Sequence, residues 1–443
     1  MNGMLTVFRN AWVDTQLRKK ILYTLFILVL FRLGSCIFVP FLNNTAITGM
    51  ISGASLLNYL DVMTGGALGK GTLLAMSITP YINASIIIQL LTVAIPPLER
   101  MQKEGEAGQK KLNMITKFTS LAIAIFQATS FYFMLRNAKD SDGNSLNILK
   151  YSGNDFSSIL SAITIIACLV AGASVIIWLG DRINEKGIGN GISMILFAGI
   201  VARLPDSIVG LVKTCQADNS KIPFVALIAV VFVAMIWFVV FMTNAERRIP
   251  VQYAKRVVGR KMYGGQSTHI PIKVAMSGVM PIIFAMSLMS LPQTILSFFR
   301  ITGDGTSGHD FWEGVARFFS HTSPWYAIIY FVLIIAFNYF YVAISYNPIE
   351  IANNLKKNNG AIPGYRPGKP TSDFIYNSLN KITLIGAIFL GIIAIFPIIF
   401  QQFTGIQVSL GGTTMLIVVG VALETVRSLE SQIMMRHHPG FLD

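Results

Sequence analysis

Ten runs of about 20 apolar residues constrain this chain more than anything else in it. They cover residues 21–40, 74–95, 115–135, 158–179, 191–211, 223–243, 274–298, 325–345, 382–401 and 411–426. Inside lipid every backbone N–H and C=O must be satisfied within the protein, so runs of this length predict membrane-spanning helices. Of the 443 residues, 53% are hydrophobic and only 13% charged, too few charges to cover a soluble protein of this size. The first run, ILYTLFILVLFRLGSCIFVP, is long for a signal-peptide core and lacks a convincing small-residue cleavage site, so it reads as a retained span.

Lys and Arg in the connecting segments set the orientation. With the N-terminus in the cytoplasm, the cytoplasmic segments carry 25 basic residues and the external ones 9, with Arg32 inside the first span. An even number of spans then places both termini in the cytoplasm. Spans one to five and six to ten are joined by an external loop at 203–222. Two sets with an odd number of spans must lie in opposite orientations, which permits an inverted repeat. No residue-level repeat between the sets is clear from the sequence. The expected organisation is a cytoplasmic leader at 1–20, a first half at 21–211, a second half at 212–427 and a cytoplasmic tail at 428–443. In the leader, Leu5, Phe8 and Trp12 stand at helical spacing, as an interfacial helix or a frayed basic segment.

Two cytoplasmic loops exceed what positive-inside bias requires. Residues 244–273 carry seven basic residues against the single acid Glu246, and the alternating stretch IPVQYAKRVVGRKMY predicts a β-hairpin. Residues 346–381 include a tip punctuated by Pro and Gly around Arg366. Long loops of this kind carry function, and two basic tips point to an acidic or nucleic-acid-rich partner.

Covalent chemistry finds little support. The five histidines, His269, His309, His321, His437 and His438, all lie outside the spans, and no zinc-protease or phosphate-loop motif occurs. An intramembrane protease is therefore disfavoured, and no cofactor is implied. GIGNG at 187–191 lacks the strand of a dinucleotide site and reads as a glycine-rich turn before span five. Cys36, Cys168 and Cys215 have no ligand-like spacing. An ion-coupled carrier needs acids buried at mid-membrane; Glu424 lies near the end of the last span beside Arg427, and Asp61 precedes the second span.

The second span is peculiar. SITPYINASIIIQLLTV (77–93) contains Pro80, Asn83 and Gln89, and follows TGGALGKGTLLAM (64–76), which holds four glycines. On a helix Ile78 and Ile82 share a face, Asn83 points elsewhere, and Pro80 is expected to loosen the local turn. Similar apolar positions occur in GISMIL (Ile192, Leu196), in GVMPIIFAMS (Ile283, Ser287, beside Pro281) and in GGTTMLIVV (Ile417). Taken singly, each is compatible with ordinary helix packing.

The segments together are more specific. TGGALGKGTLLAMSITPYINASIIIQLLTV, KEGEAGQKK, RINEKGIGNGISM, YAKRVVGRKMYGGQSTHIPIKVAMSGVMPIIFA, NPIEIANNLKKNNGAIPGYRPGKPT and GGTTMLIVVG occur in the order in which they resemble the SecY family, core subunits of bacterial protein-conducting channels. The likeness runs from about residue 17 to 428, and is poor in the external loops 136–156 and 299–324 and in the tail.

The resemblance implies an all-α membrane protein of ten transmembrane helices, in two pseudo-symmetric, inverted five-helix halves around a central hourglass pore. It implies a bacterial cytoplasmic membrane, the partner subunits SecE and SecG, the motor ATPase SecA, the ribosome, and a nascent polypeptide as cargo. Ile78, Ile82, Ile192, Leu196, Ile283 and Ile417, with the less apolar Ser287, take the positions of the pore ring. Residues 57–71, with Asp61, Gly65, Gly66 and Gly69, match the plug, a short helix folded into the external funnel. Asn83, Gln127 and Thr294 take the lateral gate between spans two and seven, as a polar cluster. Lys255, Arg256, Arg260, Lys261 and Arg366 take the surface that docks ribosome and motor. A small-solute secondary transporter with inverted repeats is the alternative; it predicts a polar mid-membrane site where this chain has apolar residues.

Overall fold

The computed structural model describes residues 12–44, 46–47, 61, 64–136, 148–151, 155–217, 222–253, 256–258, 261–263, 267–289, 292, 324–404 and 412–437. Helical segments stand at all ten expected spans. They are α1 (Thr15–Gly34), α2 (Thr79–Ala94), α4 (Glu106–Arg136), α5 (Phe156–Lys186), α6 (Gly191–Ala217), α7 (Ile222–Asn244), α8 (Met280–Met289), α9 (Pro324–Ser345), α11 (Lys369–Thr404) and α12 (Gly412–His437). Short helices α3 (Pro96–Lys103) and α10 (Pro348–Lys357) lie between them. Among the described residues, six helices are long and apolar enough to cross a membrane alone, and α2 with α3 adds a pair bent by 102°. In α1 the charges of Arg18, Lys19, Lys20 and Arg32 break the apolar run, and in α12 those of Glu424, Arg427 and Glu430 do so.

The second and seventh spans begin later than the sequence predicts. Residues 73–78 and 274–279 run through successive turns before α2 and α8 start. Ser77 (φ 48°) and Gly278 (φ 60°) adopt left-handed backbone, which no helix tolerates as a continuous element. Pro80 therefore lies in the first turn of α2, where its missing N–H leaves no bond unmade, and it does not loosen the helix as expected. The two sites share a residue-level pattern that the sequence reading missed. Ala75-Met76-Ser77 precedes Pro80, and Ala275-Met276-Ser277 precedes Pro281. Irregular backbone at this depth belongs where protein, not lipid, surrounds it. Accordingly Leu74, Ala75, Ser77 and Ile78 are all buried, as is Ser277. The Ser277 hydroxyl donates to Asn338 of α9, whose amide donates at 2.9 Å to the Thr383 carbonyl of α11.

Three apolar clusters organise the packing. The first joins α4 and α5 to the turns before α2 through Ala124, Ala128, Leu135, Ile165, Leu169 and Ala75. The second joins α8, α9 and α11 through Ile282, Phe284, Tyr330, Phe337, Leu390 and Ile393, and reaches Ile86 of α2. The third lies between the two helix sets. Small residues permit the closest crossings: Gly191 at the start of α6 abuts the backbone of Gly180 in α5, with no room for a Cβ.

Both basic loops contribute to one three-stranded sheet. β1 (Glu246–Tyr253) pairs antiparallel with β4 (Ser267–Lys273), in register Ile249↔Ile270 and Val251↔Thr268. Between β1 and β4 in the chain, β2 (Arg256–Val258) pairs with β3 (Lys261–Tyr263) as a separate two-stranded sheet, so the predicted hairpin forms and extends further than expected. The other edge of β1 receives β5 (Gly360–Ala361) from the second loop, through Gln252↔Ala361 and Tyr253↔Gly360. Ile249, Val251, Ile272, Leu355, Ile362, Ile375 and Leu379 form the core beneath this sheet.

Candidate functional site

The third apolar cluster contains every apolar residue assigned to the ring. Ile78, Leu196, Ile283 and Ile417 are buried in it, and Ile82 and Ile192 pack against it half-buried. They come from four places in the chain: the start of α2, α6, α8 and α12. Ile78 caps α2 rather than lying within it, but the Ile82 N–H donates to its carbonyl at 3.0 Å and keeps the pair stacked. Ser287 is buried one turn further along α8 than Ile283. The six apolar side chains present no hydrogen-bonding group to a solute or to water, and the Ser287 hydroxyl is the polar exception among the assigned ring residues.

Leu196, Ile283 and Ile417 also line a cavity of about 330 Å³ that runs toward the basic loops and includes Lys273, Glu424 and Arg427. Arg427 lies ten residues beyond Ile417 on α12, about 15 Å along the helix axis. Arg427 donates to the Thr243 carbonyl at 3.1 Å and to the Asn244 side chain at 2.7 Å. At the end of β4, partial burial holds the Lys273 ammonium below its usual range, the positive charge of Arg427 acts in the same direction, and Glu246 opposes both. The cavity thus joins apolar ring residues at one end to Lys273, Glu424 and Arg427 at the other.

Of the proposed plug, Asp61 and residues 64–71 are described, and the others from 57 to 63 lie outside the described residues. Asp61 is helical and residues 64–70 form turns, with Gly65 (φ 70°) and Gly66 (φ 84°) in left-handed backbone. A Cβ at Gly65 would press on the Gly199 carbonyl of α6 at 3.0 Å. The Asp61 carboxylate is buried; it accepts from the Gly69 N–H at 2.5 Å and pairs with Arg203 of α6. Arg32, inside the first predicted span, donates to the Gly65 carbonyl at 2.9 Å. Beyond the turns, Val39 N–H bonds to Gly71 O at 3.0 Å and Leu73 N–H to Ile37 O at 2.8 Å, tying the segment to the chain after α1.

Asn83 is buried on α2, which packs closely along α4, where Gln127 lies half-buried. Asn83 Oδ1 and Nδ2 and Gln127 Oε1 are all buried without a hydrogen-bond partner, so the expected polar cluster is not bonded among the described residues. Thr294 lies outside the described residues. Of the docking residues, Lys255 and Arg260 also lie outside them, while Arg256 falls in β2 and Lys261 in β3. Arg366 is exposed; its carbonyl accepts from the Thr371 hydroxyl at 2.8 Å, and the neighbouring Tyr365 ring packs on Phe374 with centroids 4.3 Å apart.

A family model described as SecY matches residues 72–426. Protein translocase subunit SecY of Mycobacterium bovis is 42% identical over 451 aligned residues, covering 99% of this chain and 100% of that protein. The chain belongs to the SecY family. The SecY protein of Streptomyces galbus is 41% identical over 449 aligned residues, again covering 99% of this chain and 100% of that one. Two solved structures share the SecY fold. One described as a protein conducting channel has a TM-score of 0.67 at 20% identity, covering 97% of this chain and 96% of that chain. Sec61 in the canine ribosome-channel complex has a TM-score of 0.64 at 19% identity with the same coverage.

In this SecY-family chain the sequence reading missed Arg203 altogether, treating it as part of an external loop. The available signal was a lone arginine at the edge of a span with Asp61 as an acid near another span edge. It also missed β5, whose two residues are too short for any alternation to show.

Proposed function

We propose that this chain is the pore-forming subunit of a protein translocation channel in the bacterial cytoplasmic membrane. Unfolded secretory polypeptides pass through it, and apolar segments leave sideways into lipid between α2 and α8. The reading rests on one observation above all: six apolar side chains from α2, α6, α8 and α12 converge where the two helix sets meet. An apolar collar sheds water when empty and binds no part of a passing chain by hydrogen bonds. Membership of the SecY family leaves no place for the small-solute transporter considered from the sequence. The chain is a channel and not an enzyme; the work of transport comes from a partner.

The partners in this reading are SecE and SecG within the membrane, and SecA or the ribosome at the cytoplasmic loops. Both termini lie in the cytoplasm, on the same side as the basic sheet. The turns at 64–71 are the plug, and the poorly satisfied amides of Asn83 and Gln127 mark a seam that holds closed yet yields. A photo-crosslinker at Ile283 is expected to capture a stalled nascent chain in a signal-dependent manner. A docked complex that gives no adduct would remove Ile283 from the pore. Arg366→Glu is expected to lower preprotein flux roughly tenfold through weakened docking, with SecE assembly unchanged. Normal flux in that variant would remove Arg366 from the docking surface.

A further inference from the structure

Asn338 carries the only amide side chain in α9, a helix with no charged residue, and it is buried rather than turned to lipid. We infer that Asn338 is a positioning residue: it pins the turns before α8 to α9 and α11, and thereby fixes where Ile283 stands in the collar. This rests on the reading of Ile283 as a ring residue.

The hydrogen bonds at Asn338 have one possible sense. The Thr383 carbonyl can only accept, so the amide turns Nδ2 toward it at 2.9 Å. That leaves Oδ1 for Ser277, whose hydroxyl must donate. The Thr383 hydroxyl does not compete, because it donates to the Leu379 carbonyl at 2.8 Å. Ser277, Asn338 and Thr383 are all buried, so no water replaces a bond that is lost.

Residues 274–279 form no regular element, so contacts with other helices decide where they lie. Three such contacts follow one another. The Val274 carbonyl stands 2.5 Å from where a Cβ on Gly386 of α11 would lie, and Val279 Cγ2 is equally close to that position on Gly420 of α12. These two contacts are steric and set separation, not orientation. Between them the Ser277–Asn338 bond is directional, and it sets the rotation of the turn. The Val279 carbonyl then receives the Ile282 and Ile283 N–H groups at 3.2 and 3.3 Å, so Ile283 follows the pinned turn without slack. At the other end the Val274 N–H donates to the Ala245 carbonyl at 2.9 Å, between α7 and β1. The basic sheet and the ring position therefore share one anchor. Without it, α8 is free to rotate and carry Ile283 out of the apolar cluster.

The test uses the chain assembled with its partner subunits and reconstituted in bilayers. Asn338→Leu keeps a branched side chain and removes both bonds; Ser277→Ala removes the hydroxyl alone. Each is expected to raise resting ion conductance roughly fivefold to tenfold, the worth of one bond between spans read as a shift in population. Ser277→Thr, which keeps the hydroxyl, is expected to stay as tight as wild type. The double variant Ser277→Ala with Asn338→Leu is expected to leak no more than the leakier single one, because both remove the same interaction. It is also expected to regain most of the thermal midpoint that Asn338→Leu loses, since no hydroxyl is left stranded. A purely structural role predicts instead that the leak disappears as the midpoint recovers, and a tight double variant would overturn the inference. Single variants with wild-type conductance would overturn it as well, as would Ser277→Thr leaking like Ser277→Ala. Ile283→Asn serves as the reference and is expected to leak. A tight Ile283→Asn channel would overturn the ring assignment beneath the inference.

Discussion

Leu196→Asn will leave the resting channel conducting ions. Leu196 is 5% exposed, shares its branching with the smaller asparagine, and lies with Ile78, Ile283 and Ile417 in the cluster between the helix sets. The substitution removes roughly 2 kcal/mol of apolar burial and places an amide where no partner stands, at a further cost of about 1–3 kcal/mol. Water is the only group that can satisfy that amide, so the variant favours the wetted collar. A shift of about 3 kcal/mol raises the wetted population on the order of a hundredfold. Single-channel recording of the purified complex without substrate checks this, with preprotein transport as the control for assembly. Wild-type silence in an assembled variant would remove Leu196 from the seal.

The second large effect is on stability and concerns α5. Gly172 is buried where the backbone of Leu73 crosses it, and a Cβ there would fall inside the Leu73 carbonyl. Backbone cannot rotate out of the way as a side chain can, so Gly172→Leu must push α5 away from the turns that precede α2. Overpacking of this kind costs typically 1–3 kcal/mol and more where backbone is displaced. Those turns carry Leu74, Ala75 and Ile78, so both the first-half core and the collar lose contacts. The thermal midpoint of the detergent-solubilised complex is expected to fall by several degrees, and resting conductance to rise with it. Gly210→Ala is the internal control. Among the described residues outside its own helical turn, no atom stands within 4 Å of a Cβ at Gly210, which lies in α6, so that change is expected to be neutral or stabilising by up to about 1 kcal/mol. If Gly172→Leu behaved like Gly210→Ala, the crossing of α5 over Leu73 would not be as tight as described.

How much of this was legible in the sequence depended on distance along the chain. Spans such as α7 and α9 were readable because an apolar run of membrane length is a local signal with few other solutions. The starts of α2 and α8 were not, since the short stretches Met76-Ser77-Ile78 and Met276-Ser277-Gly278 do not interrupt the apolar runs they stand in. What ends the helix there is the left-handed backbone at Ser77 and Gly278, and for serine no residue preference announces it. The ring residues came from resemblance, because periodicity alone favoured ordinary packing for each of Ile78, Leu196, Ile283 and Ile417 taken singly. Only the fold brings the four together. Arg203 shows the converse failure. Charge at a span boundary looks solvated in a sequence, and its pairing with the buried Asp61 exists only once α6 lies beside the glycine turns.

The pairing of β5 with β1 has a mechanical consequence. Two loops that could have swung independently are fastened along Gln252↔Ala361 and Tyr253↔Gly360, and their shared underside is packed by Leu355, Ile362 and Ile375. A load applied at either tip is therefore delivered to the same stiff plate. That plate is continuous through β1 with α7, through β4 with the turns before α8, and through the second loop with α10 and α11. All of these belong to the second helix set, while the glycine turns are fastened by Arg32 and Arg203 to the first. A partner that grips the sheet, as proposed, thus holds one jaw of a vice whose other jaw carries the glycine turns proposed as the plug.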